Sequence, residues 1–202
     1  MSERTLLIIG AGGHGKAVAE AALLSGEWQR IAFADDRWPE LSESFGWPVV
    51  TNLAGLAVLE VQVAGAIAAV GNNAVREQCV KAIHTARLPL VSVVHPRACV
   101  SAAATIGAGA AIMALAMVGV DATIGEGAIV NANATVDHDA SLGDFAHLGV
   151  GVQLAGGVKI GARAWLQAGC SAGYRVVVAD GVVCAPGTVL RADALVEVEV
   201  EV

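Results

Sequence analysis

The chain has 202 residues, 55% of them apolar and only 4% aromatic, with 24 glycines and a formal net charge of −7. That length holds one large domain or two small ones, with enough chain to bury a core of small aliphatic side chains. The acidic balance and the lack of any Lys/Arg cluster exclude nucleic acid and anionic membrane surfaces as partners.

The four cysteines (Cys79, Cys99, Cys170 and Cys184) form no CxxC pair and no zinc-like spacing with histidine. They read as small buried thiols of a reducing compartment. The opening Met1-Ser-Glu-Arg4 runs straight into an apolar stretch without a signal-peptide pattern, so a cytoplasmic chain is expected. From Ala98 to Val120 no charged residue occurs, which is long enough to suggest a membrane span. Gly107, Gly109 and Gly119 interrupt it, and its periodicity continues into charged sequence, so no span is expected.

Residues 5–15 predict a buried strand that enters a glycine-rich turn, followed by a helix from Lys16 to Leu24. Ile31 to Ala34 predicts a second strand ending in Asp35-Asp36. A weaker third strand falls near Pro48, and a fourth at Ala64–Val70 ends in Gly71-Asn72-Asn73. A helix over Ala74–Ala86 and a strand over Leu90–Val94 complete the region. Strands alternating with helices predict a small parallel α/β sheet.

At Val94 the pattern changes. Seventeen hexads run in unbroken phase to Leu195, and fifteen of their first positions are Leu, Ile or Val. The fifth position is Ala in eleven of them and otherwise Val, Cys or Thr. Neither a helix, with a period near 3.6, nor a plain strand, with a period of 2, produces this register. A period of six marks a parallel β-helix of about 18 residues per coil, large residues filling its interior and small ones closing its corners. The alternating tail, Ala194 to Val202, predicts a terminal strand over the open end of the prism.

Two histidines, His138 and His147, interrupt the otherwise apolar repeat. Together with the glycine-rich loop they carry a resemblance to a known family. The segments Ile9-Gly-Ala-Gly-Gly-His-Gly-Lys16, Phe33-Ala-Asp-Asp36, Ala69-Val-Gly-Asn-Asn73, Val94-His-Pro96, Val136-Asp-His-Asp139 and Gly143-Asp-Phe-Ala-His147 occur in the family order. They resemble the NeuD/PglD-type bacterial sugar acyltransferases of the hexapeptide-repeat superfamily. The resemblance implies a Rossmann-like parallel α/β domain over residues 1–93 that binds a nucleotide sugar. It implies a left-handed parallel β-helix over residues 94–202 that binds acetyl-CoA, and a homotrimer with active sites between neighbouring prisms. The implied reaction moves acetyl from acetyl-CoA to the 4-amino group of a nucleotide-linked 4-amino-4,6-dideoxy sugar, with no metal.

Each candidate residue has a plain structural alternative. An imidazole with a pKa near 6.5 suits proton removal from an attacking amine, so His138 is the expected base rather than a surface histidine. Asp139 is the expected acidic neighbour that raises its basicity, with Asp137 as competitor. Adjacent residues on a flat strand point to opposite faces, so contact with the His138 imidazole requires a turn here or help from another subunit. The resemblance gives His147, Gly156 and Ala168 to acetyl-CoA, while a packed histidine and a tight glycine corner are the structural readings of the first two. In the first domain, Gly10-x-Gly12-x-x-Gly15 with Asp35 twenty residues later fits a dinucleotide fingerprint. The domain lacks a second mononucleotide half, and the resemblance reassigns Gly12, Gly13, His14, Asp35, Asp36 and Gly71 to the nucleotide sugar. Nothing assigns a role to His84 or His95. Departures from the family are the Val-Glu tail and Ala172-Gly-Tyr-Arg175, which replaces a more regular hexad. Competing readings are sugar O-acetylation, a three-histidine zinc lyase on the same prism and a non-catalytic scaffold.

Overall fold

In the computed structural model, which describes residues 4–192, the chain folds as an α/β layer joined to a three-sided prism. The alternating tail from Ala194 lies outside the described residues. The first strand, β1 (Thr5–Ile9), is apolar at almost every position and occupies an interior place in its sheet, where both faces are covered. It is followed by α1 (Gly13–Ser25), β2 (Arg30–Ala34), the two-residue β3 (Glu43–Ser44), β4 (Trp47–Thr51), β5 (Gly65–Ala68) and α2 (Asn73–Thr85). The sheet order is β3-β4-β2-β1-β5, with β3 alone antiparallel. β4 is the strand expected near Pro48, and its antiparallel partner β3 is an addition, since two residues leave no periodic signal. The stretch expected as a strand at Leu90–Val94 contributes only a single bridge to the sheet, Ala66 to Leu90, before Val93–Val94 joins the prism.

The prism consists of two-residue strands stacked in parallel at a register of 18, as in Ile129, His147 and Trp165. It forms a left-handed β-helix. Its interior is lined by the first hexad position from Ile112 to Leu190 and the fifth from Ala110 to Val182. The corners close through the fourth position, which is left-handed at every turn from Gly109 to Gly187. Leu115, Asp121, Asn133, Asp139, Phe145, Arg163 and Arg175 adopt that conformation as non-glycine residues. Arg175 keeps the same geometry, so the Ala172–Arg175 segment is a regular corner after all.

The two layers share their cores. Ala111, Met113 and Ile129 of the prism pack into the apolar layer beneath α1, and Phe145 packs into the one beneath α2. Arg76 fastens this junction. It is fully buried on the apolar stripe of α2 with Cys79, Val80 and Ile83, and among the described residues it has no carboxylate ion-pair partner. Its guanidinium donates to Val70 O (2.9 Å) and Gly71 O (3.2 Å) in one layer and to Gly127 O (2.7 Å) and Phe145 O (2.6 Å) in the other. No described helix is long and apolar enough to cross a membrane.

Candidate active site

The strand Thr135–Val136 ends at a corner formed by Asp137, His138, Asp139 and Ala140, with Asp139 in the left-handed conformation (φ 60°). That turn removes the flat-strand objection. It swings the Asp139 carboxylate back to the imidazole, with Oδ2 2.7 Å from His138 Nδ1. Asp137 accepts the His138 amide (2.7 Å), and its other oxygen is 4.0 Å from Nε2. The Asp139 hydrogen bond chiefly, and the Asp137 charge next, raise the His138 pKa above 6.5. With Nδ1 donating to a carboxylate, the neutral ring carries its lone pair on Nε2 in a half-exposed side chain.

One coil above, at the same corner, is Gly156. A Cβ there would meet Cε1 and Nε2 of His138 at 2.5 Å, so the missing side chain is what gives the imidazole its resting place. Gly157 N–H donates to His138 O (2.9 Å), tying the two turns together. Among the described residues the Gly156 amide has no acceptor, which leaves a free donor beside the ring. The same column of the prism carries Val120 and Tyr174, 55% and 70% exposed, an apolar rim around the histidine.

His147 is elsewhere. It faces the α/β layer, buried, with its ring stacked on Trp165 (centroids 5.6 Å apart, planes 11° apart) and Nδ1 3.1 Å from Gly71 O. Burial, and then the Arg76 charge, push its pKa down to about 4. A carbonyl only accepts, so the neutral ring keeps its proton on Nδ1 and bears a lone pair on Nε2. His14, in the first turn of α1, is held to about 4 by the same two causes. The Nε2 atoms of His14 and His147 are both buried without a partner. His14, Gly71 and His147 thus meet at the layer junction, apart from His138. Ala168 lies at a third place, a corner stacked over Gly149.

At the other end of the loop, Gly12 caps α1 without a side-chain partner, leaving first-turn amides open. Gly15 is required, because a Cβ would collide with Gly10 O. Asp35 is already engaged: it accepts Ala11 N–H (2.8 Å) and a two-pronged contact from Arg37 (2.7 and 2.9 Å). That pairing holds its pKa at about 2 and makes it a brace for the glycine loop. Asp36 accepts Leu53 N–H at 3.3 Å. Arg76, Arg37 and Trp165 are absent from the sequence-derived set. Only Arg76 left a signal, as an arginine at helical spacing with three apolar residues.

Among the described residues no group of three or more His, Cys, Asp or Glu side chains could hold a metal ion. His95 Nδ1 accepts Arg97 N–H at 3.0 Å, and His84 sits 3.6 Å from Glu126.

Known proteins are similar to this chain in sequence and fold. The PglD N-terminal domain family matches residues 5–83. The UDP-N-acetylbacillosamine N-acetyltransferase of Bacillus subtilis is 32% identical over 116 residues, 55% of this chain and 52% of that protein. The match thus spans about half the length of that curated relative. The acetyltransferase domain of PglB from Neisseria gonorrhoeae, solved with acetyl coenzyme A, is 36% identical, with a TM-score of 0.87 and 94% of each chain covered. A perosamine N-acetyltransferase from Caulobacter crescentus, solved with CoA and GDP-perosamine, is 33% identical, with a TM-score of 0.80 over 93% of this chain and 91% of that one. With both layers matched at this identity and over this length, the chain belongs to the NeuD/PglD-type family of bacterial sugar acyltransferases.

Proposed function

We propose that this chain transfers acetyl from acetyl-CoA to the 4-amino group of a nucleotide-linked 4-amino-4,6-dideoxy sugar. The observation that carries this reading is the His138–Asp139 pair, a solvent-facing imidazole whose basicity a carboxylate at 2.7 Å supports. The amine lone pair attacks the thioester carbon and His138 Nε2 takes the proton shed by nitrogen. The carbon–sulfur bond then breaks, and the CoA thiolate leaves with a proton returned from the imidazolium. The free Gly156 amide is suited to the oxyanion of the tetrahedral intermediate. Asp139 tunes the base, and Asp137 assists.

An open groove of about 480 Å³ beside Ala155, Gly173 and Arg191 supports a pantetheine path past the same corner. His147 and Ala168 are assigned to the acetyl-CoA side, and Gly12, Gly13, His14, Asp35, Asp36 and Gly71 to the nucleotide sugar. His138 and His147 point away from each other within one chain, and the rim of Val120 and Tyr174 is exposed. Both facts favour a homotrimer whose neighbouring prisms complete each site. The reaction belongs in the cytoplasm, where acetyl-CoA and nucleotide sugars are made. The test is turnover of nucleotide-linked amino sugars beside free sialic acid. His138→Ala is expected to lower kcat by about 100-fold or more. Unchanged turnover of every accepted sugar would remove His138 as base.

A further inference from the structure

We infer that Arg76 is a positioning residue for acetyl transfer that acts through His147, by holding the loop and the prism corners between which that imidazole is set. The inference deepens the reading above and rests on it, since that reading gives His147 to the acetyl-CoA side. A buried arginine is a costly way to fasten two layers. Taking a cation out of water is unfavourable, and a methionine or leucine on the same apolar stripe of α2 would join the layers without that penalty. Arg76 nonetheless keeps its charge at neutral pH, because burial brings its pKa down only to about 10. Each of its five N–H groups has an acceptor. Nε donates to Gly127 O (2.7 Å), Nη1 to Val70 O (2.9 Å) and Gly71 O (3.2 Å), and Nη2 to Asn73 Oδ1 (2.9 Å) and Phe145 O (2.6 Å).

What these acceptors have in common is His147. Gly71 O takes one Arg76 N–H and also the Nδ1–H of His147 at 3.1 Å, so the carbonyl that sets the tautomer is itself held in place. Asn73 extends the grip: its amide oxygen accepts from Arg76, while its amide nitrogen donates to Arg163 O (2.8 Å) and Ala164 O (3.3 Å). Gly127, Phe145 and Arg163 are the left-handed corners of three successive coils. Each stands two residues before a stacked strand position, occupied in turn by Ile129, His147 and Trp165. Trp165 is the ring on which His147 lies. One guanidinium and one amide therefore fix the storey below the imidazole, its own storey and the storey of its stacking partner.

The charge serves the same end as the fork. Nε2 of His147 is buried without a partner, and it can accept from a ligand only while the ring is neutral. The charged or titratable groups facing the ring are Arg76 on α2 and His14 on α1. His14 in turn faces Arg76. The neighbouring prism strands present Ile129 and Trp165, which carry no charge, and Glu77 and Arg163 at the outer end of the junction pair with each other at 3.8 Å. A carboxylate in place of Arg76 would draw a proton onto the ring, whereas the guanidinium joins burial in keeping it off.

The experiment compares Arg76→Met and Asn73→Ala, each alone and combined with His147→Gln, with the wild type of the full chain. Steady-state kinetics with acetyl-CoA and an accepted amino-sugar nucleotide are measured well below each melting temperature. The histidine side chains, isotope-labelled, are titrated by NMR. The wild type is expected to show His147 as the Nδ1–H tautomer with a midpoint of about 4. Arg76→Met is expected to raise that midpoint by about one pH unit, through loss of the neighbouring charge. It should also lower kcat/KM by about 10-fold or more as the ring is misplaced. Asn73→Ala keeps the cation and loses only the outer grip, so its midpoint should stay put while kcat/KM falls less; it decides the matter if Arg76→Met does not fold. In the His147→Gln background neither substitution should cost more than about a further 2-fold, because both act through that residue. An unshifted midpoint in Arg76→Met, wild-type kcat/KM in the single variants, or losses that multiply in full with that of His147→Gln each overturn the inference and leave His147 with acetyl-CoA. Wild-type kinetics in His147→Gln itself remove the reading on which the inference rests.

Discussion

Gly156→Ala isolates the bed on which the candidate base rests. The added Cβ would stand 2.5 Å from Cε1 and Nε2 of His138, against about 3.5–4.0 Å for an ordinary contact. The imidazole must therefore retreat by about 1 Å or more. Its side chain is half-exposed, so it swings outward and gives up the 2.7 Å bond to Asp139. The backbone does not object, because Gly156 is not among the residues with positive φ. Replacing glycine at such a site stabilises by at most about 1 kcal/mol through the unfolded chain. The expected result is a melting temperature that is unchanged or slightly higher, with kcat lowered by about 100-fold as the base is misplaced. Steady-state kinetics with acetyl-CoA and an accepted amino-sugar nucleotide, together with a thermal melt, make the measurement. Wild-type kcat with an unaltered pH profile would refute this account of the glycine. A loss confined to the KM for acetyl-CoA would make Gly156 a cofactor contact instead.

Two further predictions concern protons. Asp139 is the first cause of the raised His138 pKa, so the acid limb of kcat/KM should lie above pH 6.5 in the wild type. Asp139→Asn should move that limb to lower pH, and Asp137→Asn should move it less; a limb that stays put in both would detach the carboxylates from the base. His14 and His147 have folded-state pKa values of about 4, below the ordinary 6.5. The unfolded chain then binds more protons between pH 4 and 6.5, so stability is present above 6.5 and lost as pH falls towards 4. At pH 5 the loss is about 2 kcal/mol per histidine. Denaturant unfolding at pH 7.5 and 5.0 should show that loss in the wild type and a smaller one in His147→Gln.

The prism was legible because its cause is periodic. A hexad repeat at Val94–Leu195 follows from the interior demanding one large and one small residue per side, and the structure fills its core from those two positions. The fourth position, which turns each corner, was not legible. Glycine shares it with Leu115, Phe145 and Arg163, so no residue type marks it. That position decided the site, because Asp139 reaches His138 only through its left-handed turn. The partition of the two histidines between different faces followed from their hexad phases. The burial of His147 did not, since it depends on the α/β layer that Arg76 fastens from a distance in sequence. The strand near Pro48 was legible, but its partner β3 escaped for a simpler reason: at two residues it is shorter than any period.

The stacking of His138 under Gly156 makes the coil a unit of length. Six residues carry a side chain to the next corner, and eighteen return it to the same corner about 4.8 Å higher. An insertion of eighteen residues between Pro96 and Val136 would keep the base, its carboxylate and its bare neighbour intact. It would nonetheless lift them all one storey away from the loop at Gly12–His14. An insertion of six would keep the fold and turn the base towards another face. The spacing along the prism axis between the Gly12–His14 loop and the His138 corner is therefore set in whole storeys of about 4.8 Å.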